Sequence, residues 1–194
     1  MRKIHTRRDE IKKQKRNTLI ISIVLIVVIS LSVFGIVANS FGTEQEVSDI
    51  RYNGYSLSAS GNSWILQEGD FQFIFSNNPN DLENLTFESN ELNILPDYAQ
   101  QVLYLYSEDS ASSYQIYQNL DIFLTRIQLA CLENTTNCQE DLPIKNCTEN
   151  FIIIKESNTS KIIQQDNCVF IEGQTQDLNK LTDIFLLKIL GIKR

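Results

Sequence analysis

The 194-residue chain carries a formal net charge of −7 that is divided very unevenly along its length. Residues 1–18 hold eight Lys or Arg against two acidic residues, whereas residues 39–194 hold nine against 22. Because phosphate binding needs a cationic surface, this composition argues against nucleic-acid binding by the C-terminal part.

An uncharged apolar segment follows the basic N-terminus, at residues 19–38. Its 20 residues are enough for a membrane span, since a helix rises about 1.5 Å per residue and the hydrocarbon core is roughly 30 Å thick. The Lys and Arg residues on its N-terminal side place residues 1–18 in the cytoplasm, by the positive-inside rule. The sequence therefore predicts a single-pass cell-membrane protein with a cytoplasmic tail, a transmembrane helix at 19–38 and an extracellular C-terminal domain.

A cleaved signal peptide is the alternative interpretation of the same segment. Small residues at Ala38-Asn39-Ser40 suit cleavage, which would leave a mature N-terminus near Phe41. The apolar run is, however, longer than the roughly 7–15 residues usual in a signal peptide. We therefore expect a retained anchor, followed by a polar linker at 39–49 and one domain at 50–194.

The domain is predicted to begin with a β-meander from Ile50 to Ser76. Two turns, with the sequences Ser-Gly-Asn and Glu-Gly-Asp, divide this stretch into three runs. Phe71, Phe73 and Phe75 alternate with other side chains, so that they share one face of a strand. That face is predicted to belong to the core, and an exposed aromatic binding surface is the alternative.

The segment from 77 to 84 (NNPNDLEN) is predicted to turn and then to start a helix. Asn80 followed by Glu83 resembles a capping box. Hard oxygen atoms lie close together here, so a calcium site is the functional alternative; they belong to Asn78, Asn80, Asp81 and Glu83. The spacing lacks the full pattern and the glycine of a calcium-binding loop. We predict no metal and no cofactor.

A buried strand and a long amphipathic helix are predicted next. Val102 to Tyr106 is a short apolar run typical of a buried strand. From Tyr114 to Cys131 apolar residues recur at steps of three or four, which predicts one helix face. Glu108 and Asp109 lie between these two elements, where loops often carry function. They are the best-placed pair for acid–base chemistry of the glycosidase type, and turn formation with helix capping is their alternative role.

Three strands and a last helix complete the predicted domain. The strands are expected at 151–155, 161–165 and 168–172. The helix is predicted to run from about Gln176 to Leu190, with Thr175 as its cap and Gly191 as its stop. The order of meander, strand, helix, strands and helix is an α+β pattern rather than a regular alternation of strands and helices.

Four cysteines lie in the domain, and four cysteines allow three pairings. An extracellular location favours their oxidation. We expect a Cys131–Cys138 bridge, which would hold the exit of the predicted helix, and a Cys147–Cys168 bridge, which would link neighbouring strands. Four reduced, buried cysteines are the alternative.

The sequence favours a binding or structural role over catalysis. The only histidine is His5, so the domain has no histidine base, and we predict no catalytic and no metal-binding residue. A carboxylate-dependent enzyme acting on cell-surface glycans is the alternative function. Sequons at Asn84, Asn134 and Asn158 are candidate glycosylation sites on an extracellular domain.

Several short motifs in roughly the first 85 residues carry a resemblance. They are the basic run KKQKRNT at 12–18, Tyr52-Asn53-Gly54-Tyr55, Asn62-Ser63-Trp64, and FQFIF at 71–75 leading into Asn78-Pro79. In layout and motifs the chain resembles the uncharacterised small single-pass membrane-anchored proteins of archaea with reduced genomes. The resemblance implies the same topology, and it implies no reaction and no site.

As partners we expect the membrane and a protein outside the cell.

Overall fold

The computed structural model describes residues 20–21, 23–28, 49–133, 138 and 141–193. The chain divides into two compact units, Met1–Glu46 and Val47–Arg194. In the first unit the described residues are helical, and their apolar side chains are 49–63% exposed. No helix among the described residues is long and apolar enough to cross a membrane. The remainder of the predicted transmembrane segment, the basic tail and the linker up to residue 48 lie outside the described residues.

The second unit begins with a four-stranded antiparallel sheet whose strands follow one another in chain order. They are β1 (Asp49–Tyr52), β2 (Tyr55–Ser60), β3 (Ser63–Glu68) and β4 (Phe71–Phe75). The predicted meander is confirmed, but it has four strands because the chain also turns at Asn53-Gly54. These residues have φ of 49° and 89°, which Asn and Gly adopt more readily than other residues. Leu57, Leu66 and Phe73 pair across three strands on the buried face.

A series of short elements follows the first sheet. It comprises a 3-10 turn (Asp81–Asn84), the two-residue strand β5 (Glu88–Ser89) and the one-turn helix α1 (Leu95–Tyr98). The helix expected in this region is thus only a 3-10 turn, and the side chain of Asn80 makes no capping hydrogen bond. The Asn80 backbone nitrogen instead donates to Oδ1 of Asn78 at 3.0 Å. The capping-box prediction is therefore wrong, because the asparagine upstream supplies the turn's acceptor.

The second sheet has six strands and is largely parallel. In sheet order they are β5, β11 (Lys161–Gln165), β12 (Cys168–Gly173), β10 (Phe151–Glu156), β6 (Val102–Ser107) and β7 (Arg126–Leu129). β11 and β12 pair antiparallel, and the other neighbours in this order pair parallel. The four predicted strands in this sheet are confirmed, three of them one residue longer than expected. β8 (Cys131–Leu132) and β9 (Ile144–Lys145) form a separate parallel pair.

Helix α2 (Ser110–Leu120) is shorter than the sequence predicts. The apolar spacing from Tyr114 to Cys131 predicts a continuous helix, but the chain leaves it through a 3-10 turn (Asp121–Phe123) and then forms β7. The four residues of β7 (RIQL) also alternate in polarity, and pairing with β6 satisfies their backbone groups. Pairing with the sheet overrides the helical spacing, so the long-helix prediction is wrong and Cys131 lies on β8.

The core of this unit is one continuous cluster between the two sheets. It includes the buried face of the first sheet, both long helices and one face of the second sheet. α2 contacts β4 of the first sheet and β6 of the second. Helix α3 (Thr175–Ile189) packs on β10, β11 and β12, and nine of its 15 residues are buried. A helix that is buried on more than one face is expected where a sheet covers each side.

The ends of α3 differ in how well the sequence predicts them. The helix covers the predicted segment up to Ile189, with Leu190 as its C-cap, but its N-cap is Gln174, which makes no side-chain capping bond. Thr175 is instead the first residue of the helix, so its assignment as the cap is wrong. Gly191 has a φ of +73°, a conformation that glycine adopts without strain, and it ends the helix as predicted.

The opposite face of the second sheet is covered by residues around the two disulfides. Cys131 bonds to Cys138 and Cys147 to Cys168, which are the pairs that the sequence analysis favours. A second apolar cluster on this face includes Ala130, Cys168 and residues of β6 and β10. The disulfides indicate an oxidising environment.

Candidate functional site

The acidic pair that the sequence singles out is engaged in structural hydrogen bonds. Asp109 is the N-cap of α2, and its Oδ2 accepts from the backbone nitrogen of Ser112 at 2.7 Å and from the Ser112 hydroxyl at 2.6 Å. Glu108 accepts from the Glu156 backbone nitrogen at 2.8 Å and from the Tyr106 hydroxyl at 3.2 Å. Burial and then the charge of Glu108 raise the pKa of Tyr106. Asp109 thus has the capping role that was the alternative to acid–base chemistry, whereas Glu108 joins the end of β6 to the end of β10.

The other acidic candidates, Asp81 and Glu83, lie on the 3-10 turn after the first sheet. Glu83 lines a polar cavity of about 530 Å³ together with Tyr52, Asn53 and Lys193. Burial lowers the pKa of Lys193 against the opposing effect of Glu83. Asp81 and the pair at 108–109 do not line this cavity. In the described part of the chain, no three His, Cys, Asp or Glu side chains are close enough to hold a metal ion.

Two of the three candidate glycosylation sites lie at the surface of the second unit. Asn84 ends the 3-10 turn and is exposed. Asn158 lies in the turn between β10 and β11 and is also exposed. Asn134 lies outside the described residues. Glycosylation at these positions stays a prediction.

An apolar cleft of about 460 Å³ lies where the first sheet meets α1 and the C-terminal end of α3. Such a volume is within the range of about 300–1,000 Å³ that is usual for binding pockets. Glu68 is the one charged side chain among the residues that line it. The lining residues, which define the apolar cleft, are Tyr55, Leu66, Glu68, Phe71, Phe73, Ile94, Leu95, Pro96, Phe123, Ile189, Leu190, Gly191 and Ile192.

Three phenylalanines form one wall of the apolar cleft. The ring centroid of Phe123 lies 4.8 Å from that of Phe71 and 5.8 Å from that of Phe73. The Gln100 backbone nitrogen donates to the Phe123 carbonyl oxygen at 2.8 Å and so fixes the 3-10 turn that carries this ring. The predicted core face of β4 is confirmed for Phe73 and Phe75, which are buried, whereas Phe71 is 42% exposed. This strand therefore supplies both core and surface aromatic groups.

The C-terminal end of α3 forms the opposite wall. Because Gly191 takes a positive φ, the chain folds back, and the Ile192 backbone nitrogen donates to the Leu187 carbonyl oxygen at 2.9 Å. Ile192 is 3% exposed. Nδ2 of Asn53 donates to the Ile192 carbonyl oxygen at 2.9 Å, which fastens the first hairpin to the C-terminal segment.

Ile94 stands at the mouth of the apolar cleft with its backbone held on both sides. Its nitrogen donates to Oδ2 of Asp97 at 2.9 Å. The preceding Asn93 nitrogen donates to Oε1 of Gln164 at 2.6 Å. The Ile94 side chain is nevertheless 52% exposed. This exposed side chain adds to the apolar surface that the cleft offers a ligand, and mostly apolar clefts are the usual form of binding sites.

The apolar cleft was not predicted from the sequence, because its lining comes from four stretches that are far apart in the chain. The available signals were the alternating phenylalanines of β4 and the Ile-Leu-Pro sequence at 94–96. Comparison with known proteins finds no matching family model, no matching curated protein and no matching solved structure.

Proposed function

We propose that this chain is a membrane-tethered protein whose C-terminal unit lies outside the cytoplasm and docks a partner protein in the apolar cleft. The observation that carries the proposal is the half-exposed Ile94, whose backbone is hydrogen-bonded, in a cleft whose aromatic wall contains Phe71. Concave clefts lined mostly by apolar side chains are the usual form of binding sites. Aromatic and apolar anchors that fill such pockets supply much of the binding energy of protein interfaces.

The proposed tether is supported by the chemistry of the N-terminal unit. Eight described residues in the apolar segment are helical, and each keeps about half of its apolar side chain exposed. Removal of apolar surface from water is favourable by about 25 cal/mol per Å². Insertion of this segment into lipid would bury its exposed side chains and gain that free energy. The basic residues before this segment favour an N-terminus in the cytoplasm. The disulfides of the second unit fit an oxidising location on the other side.

A glycan-cleaving site finds less support than a binding site in the geometry of the apolar cleft and of the pair at 108–109. That chemistry needs two carboxyl groups about 5–9.5 Å apart on either side of the substrate. The apolar cleft is lined by one carboxylate, that of Glu68. The pair at 108–109 accepts hydrogen bonds from backbone nitrogens. A binding role needs only an apolar surface and an aromatic wall, and the apolar cleft has both.

The substitution Ile94→Ser tests the proposal with little risk to the fold. Full burial of an isoleucine side chain is worth about 1.5–3 kcal/mol. Because roughly half of Ile94 is exposed before binding, its loss should cost about 1–1.5 kcal/mol, or roughly five- to tenfold in affinity. Serine also caps helices well, so α1 should form in the variant.

The matched control is Ile144→Ser on β9, where an isoleucine is 68% exposed and does not line the apolar cleft. The full-length variants are isolated from native membranes, and the proteins that copurify are quantified by mass spectrometry. We expect one partner to fall roughly five- to tenfold with Ile94→Ser and to stay constant with Ile144→Ser. Equal recovery of every copurifying protein with all three forms would contradict the proposal.

A further inference from the structure

A second hollow adjoins the apolar cleft and shares Ile94 with it. Its volume is about 550 Å³, and its lining includes the carboxylates of Glu91, Asp97 and Asp166. All three residues are exposed. We refer to it as the acidic hollow. The apolar cleft and the acidic hollow are therefore treated as two compartments of one surface that meet at Ile94.

The charged side chains that line the two compartments all have the same sign. No Lys or Arg is among the described residues that line either compartment. The sequence from Tyr52 to Thr125 contains none at all. Among the three carboxylates of the acidic hollow, Asp97 accepts a hydrogen bond from the Ile94 backbone nitrogen, an interaction that leaves its charge in place. Like charges gathered in a concave surface attract oppositely charged groups from solution.

We propose that the occupant of the apolar cleft is a peptide segment of the partner that carries a large apolar side chain close to a Lys or Arg. This inference rests on the proposed function and adds the chemistry of the partner to it. The apolar side chain lies against the aromatic wall, and the cationic side chain passes Ile94 into the acidic hollow. Residues two apart in an extended segment are separated by about 6.6 Å and point to the same side, so a short segment reaches both compartments.

The same charge argues against the membrane surface as the occupant. Anionic lipid headgroups attract basic protein surfaces and repel acidic ones. An acyl chain entering the apolar cleft would bring its headgroup towards Glu68 and the carboxylates of the acidic hollow. A basic peptide gains attraction from those charges, and complementarity of this kind also speeds its association.

The inference is tested with full-length protein in nanodiscs and a random peptide display library as the probe. Selected peptides are synthesised, and their affinities are measured at low and high salt against wild type, Ile94→Ser and the charge variant Glu91→Gln/Asp166→Asn. The matched control, Asp141→Asn/Glu156→Gln, removes two exposed charges that line neither compartment. We expect peptides that combine an apolar residue with Lys or Arg.

Binding of these peptides should weaken with Glu91→Gln/Asp166→Asn by roughly two- to thirtyfold at low salt, because each of two exposed ion pairs contributes about 0.2–1 kcal/mol. High salt should reduce this difference, and the control should bind like wild type. Peptides that require Ile94 but lack basic residues would overturn this inference and leave the proposed function standing. Failure of every peptide to depend on Ile94 would overturn both. Tight binding of empty anionic vesicles to the apolar cleft, blocked by Ile94→Ser, would also overturn the inference.

Discussion

The substitution Asp183→Asn tests how the first sheet is fastened to the helices. Asp183 is fully buried on α3. Its Oδ2 accepts from the backbone nitrogen and from Nδ2 of Asn77, both at 2.8 Å. Its Oδ1 accepts from Nε2 of Gln115 at 2.6 Å and from the Ser76 backbone nitrogen at 3.4 Å. One carboxyl group thus joins the end of β4 to both α2 and α3.

The expected cost of this substitution at acid pH is moderate, because an amide keeps one of the two acceptor oxygens. If that oxygen faces Asn77, the new NH₂ group faces Gln115, whose Oε1 is buried without a partner and accepts from it only if the Gln115 amide flips, which takes Nε2 away from residue 183 and from the Ser76 hydroxyl. The buried amide group of Gln115 is then left with an unpaired donor, which costs about 1–3 kcal/mol. We expect the free energy of unfolding to fall by about that amount at pH 5.

The difference between the two proteins should shrink as the pH rises. Burial raises the pKa of Asp183 to about 7, although hydrogen bonds from Asn77, Ser76 and Gln115 oppose this shift. The ordinary carboxyl pKa is 3.8, so between these values the folded wild type holds a proton that the unfolded chain has lost. Its stability therefore falls with rising pH. From pH 5 to pH 8 the free energy of unfolding falls by about 2.7 kcal/mol, because the two units between pH 5 and the pKa of about 7 each contribute 1.36 kcal/mol. The variant has no carboxyl group at this position and lacks this fall.

Urea unfolding of the full chain in detergent micelles, at several pH values between 5 and 8, measures both effects. The control Asp141→Asn alters an exposed carboxylate and should stay within about 0.5 kcal/mol of wild type. We expect Asp183→Asn to be less stable than wild type at pH 5 and to match or exceed it at pH 8. A difference that stays constant or widens with pH would refute the reasoning, since it would mean that the four donors keep the carboxylate ionised throughout.

Three further predictions concern packing, covalent links and topology. Gly173→Ala places a Cβ atom 2.6 Å from the buried Leu181 Cδ1, so unfolding in urea should show a loss of about 1–3 kcal/mol; unchanged stability would contradict this packing. Replacing both cysteines by serine should cost about 3.3 kcal/mol for Cys147–Cys168 and about 2.4 for Cys131–Cys138, because the loops span 21 and 7 residues; the reverse order would count against the loop-entropy explanation. A membrane-impermeant amine reagent should label Lys180 on intact cells and the tail lysines only after lysis; labelling of the tail first would reverse the proposed topology.

Local patterns in the sequence were enough to predict most of the second unit. The strands at 151–156 and 168–173 are short apolar runs, rich in β-branched and aromatic residues and bounded by turn residues, and this combination favours a strand over a helix. The Asn53-Gly54 turn was missed, although Asn-Gly between apolar residues is a strong hairpin signal. The prediction of one helix from Tyr114 to Cys131 was wrong for another reason. The last third of this segment fits both the helical period and the alternation of a strand. Pairing with β6, whose residues are more than 20 positions away, decides in favour of the strand.

The apolar cleft could not have been predicted in the same way. Its walls come from the meander, the segment at 94–96, one 3-10 turn and the last residues of α3, and only the packing of the two sheets on the helices brings these together. Asp183 had a weak signal, as an acidic residue in an otherwise apolar stretch of helix. Its partners on β4 and α2 are 68 or more positions away, so its role depends on the tertiary structure.

Site-specific photo-cross-linking in native membranes tests the central claim most directly. A photoreactive amino acid is placed at position 94 of the full chain, or at position 144 as the control, since both carry exposed isoleucines. We predict that position 94 yields a discrete adduct with one protein, that a selected basic peptide suppresses this adduct, and that position 144 does not yield it. The same adduct from both positions, or none from position 94, would contradict a partner docked in the apolar cleft.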